Sequence, residues 1–184
     1  DVAAGVFTDV AGNGNAVANQ FTWTYDGTSP TMTITSTTSG VTDGSTTNDA
    51  TIALTFTSSE STDNFVVGDI AVSGGTLSNF AGSGTDYTAT FTPTADGDCT
   101  IDVNAGVFTD AVGNSNIAAT QFNWTYDSTG PTMTITSSTS GVITGSTTND
   151  SSIDLVFTSN EATTTFALAD ISVSGGIINN FAST

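Results

Sequence analysis

"TIALTF" occupies residues 51–56 and "YTATF" residues 87–91. In both, apolar side chains stand at every second position: Ile52, Leu54 and Phe56 in the first, Tyr87, Ala89 and Phe91 in the second. A period of two buries one face of an extended strand and leaves the intervening residues on the other. The same alternation runs outward through Met32 and Ile34, Ile70 and Val72, Cys99, Ile101 and Val103, and Phe122, Trp124 and Tyr126. Clusters of Gly, Pro, Asn, Asp and Ser punctuate these runs, as turns require. Thr, Ser, Gly, Asn and Val dominate, and Glu occurs only at positions 60 and 161, so the composition argues against helix throughout.

A second regularity sets the organisation. Displacing the chain by 101 residues lays 1–83 over 102–184, with 53 identical positions. Such self-similarity is the mark of a tandem array. The boundaries fall at "YDGTSPT" (25–31) and "YDSTGPT" (126–132), where turn residues break any continuous pairing. Residues 29–129 then form one complete module. Residues 1–28 read as the last strands of a preceding module, and 130–184 as the first half of a following one. The chain is thus expected to be a window cut from a longer array. It contains no apolar span of membrane length and no recognisable leader.

About seven short strands in about 100 residues is the pattern of an immunoglobulin-like Greek-key β-sandwich, so the fold class is all-β, with such sandwiches in tandem. A domain of this size buries enough surface to fold without a disulfide. Cys99 alternates with Ile101 and Val103 and reads as a small buried apolar residue. The string "AGVFTDAVGNSN…QFNWTYDSTGPTMTIT", with "FTSSE" and "GDIAVSGGTLSNF", resembles the bacterial Ig-like repeats of large, multi-repeat cell-surface and adhesin proteins. That resemblance covers the whole chain. It implies an extracellular stalk of Ig-like modules in contact with their neighbours, often stiffened by calcium.

The residues themselves point to a cation. "AGVFTDVAGNGN" (4–15) recurs as "AGVFTDAVGNSN" (105–116), repeating an aspartate and an asparagine in a glycine-marked loop. In an Ig-like sandwich the incoming linker and the loops joining the second to the third and the sixth to the seventh strand share one end. There Asp26 from the linker, Glu60 from the loop after "TIALTFTSS", and Asp110 with Asn114 from "FTDAVGN" are expected to meet. Asp127 and Glu161 repeat the arrangement at the next junction, and Asp9 and Asn13 are the matching loop of the preceding module. Crowded carboxylates repel one another, and a chain of net charge −18 without a single Lys, Arg or His has no side chain to compensate them. Hard oxygen donors in irregular loops favour calcium over zinc or copper, and calcium tolerates loose geometry better than magnesium. The competing reading is that Asp110 and Asn114 only close a turn. Asp49 and Asp150, Asp69 and Asp170, and the "ADGDCT" pair Asp96 and Asp98 read as turn or strand-end residues. Asp43 and Asp63 are replaced by Thr144 and Thr164 in the second copy, so a repeated site does not depend on them.

Other functions fit poorly. Acid–base catalysis near neutral pH most often uses histidine, and a carboxylate pair repeated at every module makes an unusual active site, so no enzyme is expected. Nucleic acid and anionic membranes demand the cationic side chains that are absent. The leading expectation is a stalk or spacer of an extracellular surface protein with calcium-stiffened junctions. The alternative is a recognition module or filament subunit that associates with itself or binds a glycan or protein; near-identical modules favour the spacer.

Overall fold

The computed structural model describes residues 1–182, and the chain divides into two compact units, 1–128 and 129–184. Nearly all regular structure is β, as the alternation predicts. In the first unit, β1 (Met32–Ser36), β3 (Ile52–Thr62) and β5 (Gly75–Pro93) form one antiparallel sheet in the order β1-β3-β5. A second sheet runs β2-β7-β6-β4, with β2 (Ser45–Thr47), β4 (Ile70–Ser73), β6 (Gly97–Val103) and β7 (Phe122–Tyr126). The chain changes sheet between β1 and β2 and crosses repeatedly thereafter. These are the two sheets of an Ig-like sandwich.

The alternation dictates what lies between them. Ile52, Leu54, Phe56, Tyr87, Ala89 and Phe91 face inward from the first sheet, and Cys99, Ile101, Val103, Phe122 and Trp124 from the second, all buried. Tyr126 and Val72 pack at the margin of this core. Trp124 reaches β2 as well: its indole N–H donates to Thr47 Oγ1 at 3.2 Å, and the Thr47 hydroxyl donates to Asp49 at 2.6 Å. Buried Phe65 and Phe108 come from outside the strands and were not anticipated by periodicity. Phe65 sits at the centre of an aromatic cluster, its ring 5.1 Å from Tyr87, 5.2 Å from Phe108, 5.8 Å from Phe80 and 6.0 Å from Phe56.

Two departures from the alternation matter. The long extended run β5 doubles back on itself: Thr94 N–H donates to the Gly74 carbonyl, and Asn79 Nδ2 to Thr90 Oγ1. The return is possible at Gly82 and Gly84, whose φ of +134° and +68° lie where L side chains are strained. A Cβ on Gly82 would stand 2.3 Å from the Asp86 carbonyl oxygen. Second, Glu60 lies within β3 and not in a loop beyond it, which corrects the placement expected from sequence. The strand runs on to Thr62, through a register irregularity between Thr57 and Thr62, because Ser59 exchanges bonds with Thr31 just before β1.

In the second unit, β8 (Met133–Ser137) pairs antiparallel with β9 (Leu155–Ser159) in the same register as β1 with β3, Met133 opposite Ser159 as Met32 is opposite Ser58. Phe157, Phe166 and Phe181 repeat the cluster of Phe56, Phe65 and Phe80, with ring separations of 5.6–6.5 Å. Residues 1–28 contain no strand, only a bridge between Thr8 and Gly14.

Candidate metal centre

Three segments bring acidic side chains to one end of the first unit. The first is the linker at Asp26, whose carboxylate accepts the Thr28 N–H at 3.0 Å, a local turn. The second is the far end of β3, where Glu60 is half-buried. The third is the loop from β6 to β7, which carries Asp110 and Asn114. That loop is built by Asn116, a residue the sequence reading did not single out. It is only 3% exposed; its Oδ1 accepts the N–H groups of Val107 (2.8 Å) and Phe108 (3.1 Å), and its Nδ2 donates to the carbonyls of Asn104 (2.8 Å) and Ile117 (2.9 Å). The signal was present as the second asparagine of "GNSN", repeated as Asn15, which makes the same four bonds in its own loop.

Asp110 shows the turn chemistry in full. Its Oδ1 accepts N–H groups from Val112, Gly113 and Asn114 at 2.7–3.0 Å, and its Oδ2 accepts Asn114 Nδ2 at 2.8 Å. Gly113 holds φ at +99°, and this lets the backbone wrap the carboxylate. Burial acts to raise the Asp110 pKa, but the bonds from Asn114, Val112 and Gly113 outweigh it and hold it below the usual value, so the group is charged. Asp9 and Asn13 form the same turn, with Asp9 accepting Ala11 N–H, Asn13 N–H and Asn13 Nδ2, but in an exposed loop.

Turn chemistry does not account for what faces Asp110. Asp26, Glu60 and Asp110 each offer a carboxylate oxygen, and the three oxygens lie within 4.8 Å of one another. This is the sole such group of three among the described residues. Asn114 takes part through its amide nitrogen, which donates to both Asp110 Oδ2 and the Asp26 carbonyl (3.2 Å) and so ties loop to linker. The electrostatic cost falls on Glu60: burial first, then the charges of Asp26 and Asp110, raise its pKa above the ordinary value. Three carboxylate oxygens from separate segments are hard donors of the kind that divalent cations with oxygen ligands take.

The remaining expected residues fall in one unit or the other. Asp127 belongs to the first unit, where its N–H donates to the Thr47 carbonyl. Glu161 belongs to the second, accepting Asn160 Nδ2 at 3.0 Å. Several other aspartates have structural work: Asp49 holds Thr47, Asp69 caps a short 3-10 turn through the Val66 N–H, and Asp98 accepts the Thr125 hydroxyl.

A sequence profile of the bacterial Ig-like domain matches residues 26–126. The chain belongs to the bacterial Ig-like domain family. The match begins at Asp26 and ends at Tyr126, so it takes in the linker carboxylate, both sheets and the loop of Asp110. No curated protein and no solved structure matches this chain significantly. Bacterial Ig-like domains are structural modules, typically without enzymatic activity and commonly extracellular. No helix among the described residues of this Ig-like chain is long and apolar enough to cross a membrane.

Proposed function

We propose that this chain is a segment of the stalk of an extracellular, repetitive surface or adhesin protein, in which Ig-like modules act as spacers and calcium stiffens the junctions between neighbouring repeats. The observation that carries the reading is the meeting of Asp26, Glu60 and Asp110, from linker, strand end and loop, in a chain with no cationic side chain. A bound divalent ion offsets their repulsion and cross-links the linker to the body of the module. Asp26, Glu60 and Asp110 supply the charged oxygens, and Asn114 orients two of the three segments. Asp127 with Glu161, and Asp9 with Asn13, are the corresponding pieces of the adjoining junctions. A structural module repeated with 53 identities in 83 positions suits a spacer, whose units need only be alike.

The test is thermal unfolding and small-angle scattering of the full chain in millimolar calcium and in chelator at matched ionic strength. Calcium at a hundredfold excess over its dissociation constant adds about 2.7 kcal/mol of stability, and the linker becomes more extended. Identical melting curves and identical scattering in both media would overturn the calcium reading.

A further inference from the structure

We infer that Asn64 is a positioning residue for the cation site, holding the segment of Glu60 against the loop of Asp110. The inference rests on the calcium reading above. Asn64 follows Glu60 by four residues and reaches across to the loop of Asp110. Its Nδ2 donates to Thr109 Oγ1 at 3.1 Å, and its Oδ1 accepts the Thr109 N–H at 3.0 Å. The Thr62 hydroxyl donates to the same Oδ1 at 2.9 Å. Next to this pair, Phe65, which follows Asn64, meets Phe108, which precedes Thr109, edge to face with ring centres 5.2 Å apart. Two consecutive residues after Glu60 are therefore locked to the two residues that precede Asp110. The lock has a polar half at the surface and an aromatic half in the core.

The consequence is a fixed separation between two of the three carboxylates. A carboxylate pair left on loose segments would drift apart under its own repulsion and need drawing together when the ion binds. A clamp held by reciprocal amide bonds carries that ordering cost in the folded protein beforehand. In the second copy Phe166 stands at the position of Phe65, but Thr165 stands at the position of Asn64. Threonine offers a single hydroxyl on a shorter side chain in place of the separate donor and acceptor atoms of the amide, so it does not reproduce the two-point bond to Thr109. Asn64 thus supplies a clamp that a copy with threonine at this position lacks.

The experiment titrates calcium into the full 184-residue chain by calorimetry, for the parent protein and for Asn64→Thr, Asn64→Asp and Thr109→Val. It also follows hydrogen exchange of the Thr109 amide in chelator. Asn64→Thr introduces the residue already present at position 165 and is expected to weaken calcium about tenfold, the lower end of the effect of outer-shell partners. Asn64→Asp retains an acceptor for both the N–H and the hydroxyl of Thr109, so it is expected to bind at least as tightly as the parent. Thr109→Val removes the hydroxyl half and is expected to fall between. Exchange at Thr109 should quicken in Asn64→Thr and not in Asn64→Asp, a readout that general destabilisation would not separate. If the parent binds calcium and Asn64→Thr binds equally well, the positioning role is overturned. If the parent itself binds none, the calcium reading fails first and this inference falls with it.

Discussion

Replacing Asn116 with alanine would remove four hydrogen bonds at once, but the four are not equal. The Nδ2 acceptors, the carbonyls of Asn104 and Ile117, belong to exposed residues and can turn to water, so their loss costs little. The Oδ1 donors differ: the Phe108 N–H belongs to a residue only 1% exposed, and Val107 is half-buried. Leaving a buried donor unpaired costs about 1–3 kcal/mol, and losing a solvated bond about 0.5–1 kcal/mol. The expected loss is therefore about 3 kcal/mol, which for a unit of this size lowers the melting temperature by about 10 °C. Urea unfolding followed by tryptophan emission suits the measurement, because Trp124 is 1% exposed and Trp23 is 73% exposed. The Trp124 signal moves on unfolding while that of Trp23 changes little. Asn15→Ala is the internal control, since Asn15 makes the same four bonds beside Phe7, which is 61% exposed. It should shift the same transition by less than about 0.5 kcal/mol. Equal effects of the two substitutions would refute the claim that burial, and not bond count, sets the cost.

Two further outcomes are expected. Glu60 has a raised folded-state pKa, so the native chain holds a proton that the unfolded chain has released once pH passes the ordinary glutamate value; its contribution to stability falls as pH rises through that window. Glu60→Gln in chelator should consequently melt higher than the parent near neutral pH and no higher at pH 3, as circular dichroism melts at a series of pH values would show. Trp124→Ala should cost about 3–5 kcal/mol in urea unfolding, and Trp23→Ala less than about 0.5 kcal/mol, although both replace the same residue in matching pentapeptides.

The legible part of this protein was the part governed by local alternation. "TIALTF" and "YTATF" became neighbouring strands with Ile52 opposite Phe91 and Phe56 opposite Tyr87, because period-two patterning excludes any one-residue slip, which would turn an apolar row to solvent. Phe65 and Phe108 were not legible, since they lie outside the strands and enter the core through loops whose path no periodicity describes. Glu60 was expected in a loop because the apolar alternation stops at Phe56; hydrogen bonding to Thr31 carried the strand further. Within the candidate site, the turn at Asp110 and Asn114 could be read from spacing. The work of Asn116 was signalled only by its recurrence as Asn15, and that of Asn64 could not be read, because its partner Thr109 lies far along the chain.

The pair "FTWTY" (21–25) and "FNWTY" (122–126) divides what the sequence determined from what it did not. The alternation marked both as strands with one apolar face, and the repeat fixed the module length, the all-β class and the acidic character of the linker and loops. Only the second became a strand: β7 lies between β2 and β6, which satisfy its backbone, and Trp124 packs against Phe91 of the opposite sheet, whereas Trp23 remains exposed. A strand's stability resides in the partners that accept its hydrogen bonds and bury its face, and these are supplied by segments remote along the chain. For the same reason the sequence could name Asp26, Glu60 and Asp110, while their approach to within 4.8 Å was decided by the packing of three separate segments.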